Sequence, residues 1–194
     1  MQILKAEALI DVPWKNGGGI TRNIAKGLTG DRPAWTLSRA DVADDGPFSD
    51  FSGMMRVLTV VSGGTMILNT TDAALTAELW KPVRFDGGLA VTSRLTDGPI
   101  TDFNLMFDPP RCDGHVMTRQ GPLVSQCLQP VQGLLAFHGL AGTPKINGTS
   151  LKPADTAFIT KTHAALELAE GDALLEIRLS YLDRVPIALC IADR

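Results

Sequence analysis

The sequence predicts an all-β fold built from many short strands. Nineteen glycines and 12 prolines are spread along the 194 residues, so extended elements are interrupted often by turns. Several segments alternate apolar and polar side chains with the period of two that a half-buried strand requires. Helical spacing of apolar residues is not sustained anywhere, which predicts helix only as a minor component.

Four segments carry the clearest strand pattern, and one favours a short helix. Apolar and polar side chains alternate in Leu174–Tyr181, which predicts one buried and one wet face. The same alternation predicts strands at Trp35–Val42 and Ala164–Leu168, and Val57–Val61 is a β-branched run that ends in a pair of glycines. The segment Asp72–Trp80 is predicted to form about two helical turns.

Two segments resemble each other, which predicts an internal duplication. One begins at Val57 with VLTVVSGGTMILNTT and the other at Leu134 with LLAFHGLAGTPKING. Each reads as strand, glycine turn, short strand, polar turn and further strands, a unit that suits two small antiparallel β-barrels or sandwiches. The predicted halves are residues 1–110 and 111–194. A chance likeness is the alternative, because other all-β chains also show this succession of short strands and turns.

Charge and composition exclude several classes of protein. The formal net charge of −3 and a pI of about 5.6 argue against nucleic acid as a partner. Cys112, Cys127 and Cys190 lack the spacing of a zinc knuckle or a disulfide framework, which predicts a reducing, cytoplasmic location. Charges near the amino terminus argue against an export signal, and glutamines and prolines within 120–144 argue against a membrane span.

The string PWKNGGGITR, Pro13–Arg22, is the first candidate binding element. Three consecutive glycines are entropically costly, so the loop that keeps them needs positive φ angles or a close approach to other atoms. Lys15, Asn16 and Arg22 supply donors suited to a carboxylate. A tight hairpin with solvated charges is the alternative. The spacing does not match a phosphate-binding loop.

The second candidate element is LTDGPITDFNLMF, Leu95–Phe107. A turn precedes a predicted strand in which Asp102, Asn104 and Met106 share one face. Burial of a carboxylate and an amide without partners would be costly. These side chains are therefore expected either to line a pocket or to lie at a wet edge.

Patterns for nucleophilic or metal chemistry are weak. The sequence contains no GxSxG elbow, and His115, His138 and His163 are well separated, with no HxH or HExxH pair. Neither a metal nor another cofactor is expected.

Four motifs resemble those of one known family. PWKNGGGITR, WTLSRADV, GPFSDF and DGPITDFNLM are similar, in order, to signature segments of the HutD/Ves family. The resemblance implies a bicupin-like fold, in which two small RmlC-like cupin barrels pack in one compact unit without a metal-binding histidine cluster. It also implies a link to histidine-utilisation genes and a small carboxylate ligand such as urocanate or formylglutamate.

The resemblance extends to individual candidate ligand-binding residues in three motifs. These residues are Lys15, Asn16, Thr21 and Arg22 in the glycine loop, Ser38 in the WTLS strand, and Asp102 and Asn104 in the DFNLM strand.

Two positions depart from the family pattern. Arg39 replaces a usually apolar residue, which predicts a partly polar strand face. Arg56 is a further candidate ligand-binding residue, but Met55 precedes it where the family usually has an Asp. Arg56 therefore lacks an expected partner.

Two classes of function remain open. The first is a regulatory or accessory protein that binds a small anionic intermediate of histidine utilisation and catalyses nothing. The second is a metal-independent cupin isomerase or hydrolase, with Asp102 or His163 as general base. A structural protein without a ligand is a third, weaker alternative. The expected partner is a small anionic molecule, with no nucleic acid and no membrane, and a homodimer is left open.

Overall fold

A computed structural model describes residues 1–30, 32–182 and 186–192. Within them, one short 3₁₀-helix spans Ala6–Ala8 and all other regular elements are strands. No helix in these ranges is long and apolar enough to cross a membrane. The strands are β1 Gln2–Leu4, β2 Val12–Pro13, β3 Gly19–Thr29, β4 Arg32–Val42, β5 Gly46–Pro47, β6 Met55–Ser62, β7 Met66–Asn69, β8 Ala74–Ala77, β9 Val83–Asp86, β10 Thr92–Leu95, β11 Ile100–Phe107, β12 Cys112–Gln120, β13 Leu123–Leu128, β14 Gly133–Ala141, β15 Lys145–Ile146, β16 Thr149–Ser150, β17 Thr156–Phe158, β18 His163–Leu168, β19 Ala173–Tyr181 and β20 Ala188–Ile191.

The amino-terminal half is built from two sheets. The larger sheet has the order β2-β3-β4-β11-β6-β9, with β20 added to β3, and the smaller sheet has the order β5-β10-β7-β8. Apolar side chains of both sheets form one cluster, to which Leu58 and Val60 contribute from β6 and Met66 and Leu68 from β7. Burial of such side chains is the main stabilising contribution in this half.

The carboxy-terminal half repeats this arrangement. One sheet has the order β1-β17-β14-β19-β12 and the other β13-β18-β15-β16. The pairing of β14 with β19 and of β15 with both β16 and β18 corresponds to that of β6 with β11 and of β7 with both β8 and β10. Strand pairing therefore repeats along the two segments whose sequences resemble each other.

The largest apolar cluster joins the two halves. Trp35 and Phe103, on the larger amino-terminal sheet, pack in one cluster with Leu134, Ile177 and other residues of the five-stranded sheet. Because the neighbours of these residues along each strand face the interior of their own half, both faces of the central strands are covered.

Both chain ends cross to the opposite half. Gln2–Leu4 pairs antiparallel with Thr156–Phe158, and Ala188–Ile191 pairs with β3. These two strands tie the halves together by backbone hydrogen bonds in addition to the apolar contact.

The predicted strands are confirmed, and the predicted helix is wrong. The four strand segments lie within β4, β6, β18 and β19. Within Asp72–Trp80, however, Ala74–Ala77 is a strand paired with Met66–Asn69. The Thr70 amide donates to the Ala73 carbonyl and closes a hairpin turn, so tertiary pairing outweighs the local helical pattern.

Candidate functional site

The glycine loop needs its glycines for two different reasons. Gly17 has φ of +76°, in the left-handed region that glycine adopts without strain. At Gly19, an added Cβ would lie 2.4 Å from the Asp41 carbonyl oxygen and 3.0 Å from the Trp14 ring. Asn16 accepts a hydrogen bond from the Gly18 amide at 3.1 Å and stabilises the turn. The loop is therefore shaped by backbone geometry and by the close approach of Trp14.

We expect Gly19→Ala to lower the free energy of unfolding by about 1–3 kcal/mol, the usual effect of overpacking. Gly18→Ala is the matched control, because its Cβ would meet only Asn16 at the ordinary distance of 3.6 Å. Urea denaturation of both variants measures the difference. Equal stability of the two would contradict the close approach described for Gly19.

Thr21 holds Trp14 in place. The Trp14 indole nitrogen donates to the Thr21 hydroxyl oxygen at 2.7 Å. Both residues line a cavity with a volume of about 590 Å³. Thr21, which was predicted to bind the ligand, therefore also positions the Trp14 ring that forms a wall of the cavity.

The cavity lies on the inner face of the larger amino-terminal sheet. Its floor is formed by side chains of β3, β4, β6 and β11, and its walls by residues 13–16 and 47–51. Asn23 pairs in register with Ser38, and Ser38 with Asn104, so two amides and a hydroxyl form a row across three strands. Such a row supplies both donors and acceptors to a ligand.

A buried polar network occupies the floor. The Arg56 Nε donates to Asn104 Oδ1 at 2.9 Å, and Asn104 Nδ2 donates to Asp102 Oδ1 at 2.6 Å. The exposed fractions of these residues are 8% for Arg56, 3% for Asn104 and 1% for Asp102. Asn104 therefore bridges the Arg56 guanidinium and the Asp102 carboxylate, which form no direct ion pair with each other.

Burial perturbs both charged groups of this network. It raises the pKa of Asp102 to about 6, although the nearby Arg56 charge and the hydrogen bond from Asn104 oppose the shift. It also lowers the pKa of Arg56 to about 10, an effect that Asp102 partly offsets. Arg56 stays charged at neutral pH, whereas Asp102 changes charge near pH 6.

Aromatic rings hold Arg56 in the floor. Its guanidinium carbon lies 4.3 Å from the Phe48 ring centroid and 5.7 Å from that of Phe85, within cation–π range. Met55, the preceding residue of the strand, faces the other side of β6 and packs against the cluster between the halves, so the partners of Arg56 are these rings and Asn104. Arg56 is thereby fixed with its terminal nitrogens available near the cavity.

The structure brings together seven of the eight candidate ligand-binding residues and corrects the position of the eighth. The cavity is lined by Lys15, Asn16, Thr21, Ser38, Arg56, Asp102 and Asn104. Arg22 does not line it, because strand alternation directs this side chain away from the face shared by Thr21 and Asn23. Instead, Arg22 donates to Asp11 at 2.6 Å and to Asp41 at 2.7 Å.

We expect Arg22→Ala to change affinity for a cavity ligand less than twofold. Its ion pairs are partly exposed, so the loss of unfolding free energy should stay within about 1 kcal/mol. Calorimetric titration and urea denaturation measure the two quantities. A tenfold loss of affinity with unchanged stability would place Arg22 in the binding site after all.

Several cavity residues were not selected from the sequence. Trp14, Asn23, Thr36 and Phe48 all line the cavity. Strand alternation identifies Asn23 from Thr21 and Thr36 from Ser38, once the inner face is known. Trp14 and Phe48 come from loops, whose side-chain directions follow no period.

Arg39 lies on the opposite face of β4 from the cavity. It pairs in register with Phe103, whose ring packs between the two halves, and the Arg39 Nε has no hydrogen-bond partner within the described residues. Burial lowers the pKa of Arg39. This face of the sheet is partly polar, as expected, because Arg22, which pairs in register with Arg39, and Asp41 lie on it too.

The histidines lie apart from this cavity. His163 lines a separate cavity with Lys161. His138 is fully buried, and burial lowers its pKa to about 3, so it stays neutral. His115 is exposed and contacts Asp113. Within residues 1–30, 32–182 and 186–192, no three His, Cys, Asp or Glu side chains are grouped to hold a metal ion.

Sequence comparison links the chain to one family. The HutD family model matches residues 6–175. An uncharacterised 21.2 kDa protein in the hutC 3′ region of Pseudomonas putida is 39% identical over 117 residues, which cover 57% of this chain and 60% of that protein. Protein Ves of Escherichia fergusonii is 36% identical over 106 residues, which cover 53% of this chain and 56% of Ves. The matches thus span less than two thirds of these relatives' lengths.

Solved structures share the fold over nearly the whole chain. HutD from Pseudomonas fluorescens SBW25 superposes with a TM-score of 0.80 at 29% identity, covering 94% of this chain and 99% of that one. The nickel(II) complex of the Escherichia coli pirin YhhW gives a TM-score of 0.68 at 9% identity, covering 91% and 97%. At that identity the second likeness concerns the fold alone, which is all-β and cupin-like.

Proposed function

The chain belongs to the HutD family, and we propose that its cavity binds a small anionic intermediate of histidine utilisation, such as urocanate or formylglutamate, in a regulatory or accessory role. The relative in the hutC 3′ region of Pseudomonas putida supports the link to this pathway. The family supplies the metabolic context, and the cavity supplies the chemical argument.

Buried Arg56 at the cavity floor carries this proposal. A guanidinium that is desolvated by the protein and fixed by Asn104 and Phe48 is preorganised for a carboxylate, which it can bind through two parallel hydrogen bonds. The cavity volume of about 590 Å³ falls in the range of small-molecule sites.

The charges that line the cavity favour an anion. Its formally charged residues are Lys15, Arg56 and Asp102, so the lining carries a net charge of +1 when Asp102 is ionised. Protonation of Asp102 raises that charge to +2. Both states attract a carboxylate.

The two candidate acids would use the cavity differently. The planar imidazole ring of urocanate suits the aromatic walls formed by Trp14 and Phe48, and its ring N–H suits the acceptors in the row of polar side chains. Formylglutamate offers two carboxylates for Arg56 and Lys15 and an amide for the row of polar side chains. The shared chemistry is a carboxylate on Arg56.

An enzyme remains the second candidate, and one observation favours it. Asp102 adjoins the cavity, and its pKa of about 6 is that of a base able to act near neutral pH. The binding role is preferred because Asp102 is 1% exposed and accepts the Asn104 hydrogen bond. Product formation, followed by NMR with each acid, distinguishes the two roles.

We also propose that the two pairs of sheets are two cupin barrels, with halves at 1–110 and 111–194. The repeated strand pairing supports this arrangement. Free Cys112, Cys127 and Cys190 support the cytoplasm as the location.

A thermal-shift screen tests the binding role. Urocanate, formylglutamate and other acids of the pathway are compared with histamine, which keeps the imidazole but lacks the carboxylate. We expect at least one acid to raise the melting temperature in a concentration-dependent way, because a ligand that binds only the folded state stabilises it. Stabilisation by histamine alone, or by none of these compounds, would contradict the proposal.

A further inference from the structure

A buried carboxylate occupies the same position in each half of the molecule. Asp102 of β11 pairs with Val60 of β6, and Glu176 of β19 pairs with Phe137 of β14. The two similar segments align Val60 with Phe137, so Asp102 and Glu176 are equivalent in the repeat. Both are at most 1% exposed. The carboxy-terminal half therefore also has a buried carboxylate, at the position equivalent to that of Asp102 in the first cavity.

Two arginines hold the second carboxylate directly. Arg119 Nε donates to Glu176 Oε2 at 2.8 Å, and Arg178 Nε donates to Glu176 Oε1 at 2.5 Å. Burial raises the pKa of Glu176, but these two hydrogen bonds outweigh it and hold the pKa below its usual value. The carboxylate is thus ionised, and it fixes a guanidinium on each of its oxygens.

Both guanidiniums keep donors that no residue uses. Within the described residues, neither terminal nitrogen of Arg119 makes a hydrogen bond, and Arg178 engages one of its two, which donates to the Leu128 carbonyl at 2.8 Å. The side chains are 37% and 29% exposed, so an anion can reach these donors from solvent. Three terminal nitrogens with N–H groups, on the two guanidiniums that Glu176 holds in place, remain for a ligand.

The residues of neighbouring strands add to this arrangement. Ser125 shares the inner face of β13 with Cys127, whose sulfur donates to Glu176 at 3.4 Å. The Ser125 hydroxyl is buried and has no partner within the part of the chain that the structure describes. It is a further hydrogen-bonding group, two residues along β13 from the cysteine that contacts Glu176.

The charges on this face leave it positive. On β12, the side chain of Asp113 lies on the same face as Arg119, but Asp113 contacts Arg84 and His115. Asp113 lies six residues from Arg119 along β12, about 20 Å away, so at the pair itself two guanidiniums face the single carboxylate of Glu176. A further anion would be the complement of this net positive charge.

We propose that Arg119 and Arg178 form a second anion-binding site, which takes a compact oxyanion such as a carboxylate or phosphate group. The Glu176 carboxylate holds the two guanidiniums in place, and their terminal nitrogens bind the oxyanion. The site shares no residue with the Arg56 cavity, so it stands independently of the function proposed for that cavity.

NMR titration of the full-length, ¹⁵N-labelled protein with inorganic phosphate tests the site. The Nε–Hε signals of Arg119 and Arg178 should shift in a saturable way, whereas the signal of exposed Arg94 should not. A parallel titration with acetate compares a carboxylate with phosphate as the source of the oxyanion. Shifts that stay linear up to the highest concentration, or that appear at Arg56 alone, would overturn the proposal.

Variants separate this role from a purely structural one. Arg119→Gln should weaken phosphate binding at least tenfold, as read from the Arg178 signal, whereas Arg94→Gln should leave it unchanged. Arg119→Lys keeps a positive charge beside Glu176 but lacks the fork, so it should also weaken binding while the protein stays folded. Wild-type affinity in folded Arg119→Lys and Arg119→Gln would show that the arginines only stabilise Glu176.

Discussion

Arg56→Gln is expected to reduce affinity for a pathway acid by about 1.5–3 kcal/mol, roughly ten- to a hundredfold. Glutamine can still reach Asn104 but removes the positive charge that faces the carboxylate of the ligand. Without the Arg56 charge that opposes the shift, the pKa of the buried Asp102 rises further, so protonation of Asp102 offsets only part of the lost positive charge. Calorimetric titration of the variant at pH 7 measures the change.

The control for this variant is Arg94→Gln, at an exposed position of β10. It changes the net charge of the protein by the same amount as Arg56→Gln. It should bind as the wild type does. Circular dichroism and urea denaturation of both variants show whether loss of binding reflects loss of fold. A change of less than twofold in a folded Arg56→Gln protein would exclude Arg56 from binding.

Asp102→Asn is expected to keep or increase affinity for an anion at pH 7, by as much as about 1–2 kcal/mol. The substitution removes a negative charge from the cavity floor and changes the volume of the side chain little. An enzyme that uses Asp102 as its base would instead lose nearly all activity. Binding and product formation measured on the same variant therefore separate the two candidate functions.

The pH dependence of binding follows from the same residue. Burial raises the pKa of Asp102 to about 6 from 3.8, so the folded protein takes up this proton as the pH falls through 6. The contribution of Asp102 to stability is accordingly full below about pH 3.8 and is lost as the pH rises through 6. Anion affinity should increase between pH 7 and pH 5 in the wild type and stay flat in Asp102→Asn. Equal slopes for the two proteins would contradict this assignment.

Alternation along strands accounts for most of what the sequence predicted correctly. It identified β4, β18 and β19, and it placed Asp102 and Asn104 on one face, whereas β6 was identified by its β-branched run. The glycine loop was informative because three glycines in succession have few structural reasons other than turns and close approaches.

The remaining features depend on contacts between distant segments. Arg22 carries a donor suited to carboxylates, but its place on β3 directs it to Asp11 and Asp41. The helix expected near Ala74–Ala77 is a strand because β7 pairs with it. The aromatic wall at Phe48 comes from a loop, and no periodicity in the sequence determines where such a side chain points.

Calorimetric titration of the wild-type protein with urocanate and with formylglutamate at pH 6 tests the central claim most directly. The Arg56 cavity predicts saturable binding of at least one of these acids, with one molecule bound per chain. Heats no larger than those of dilution for both acids would contradict the claim that this cavity binds an anionic intermediate of histidine utilisation.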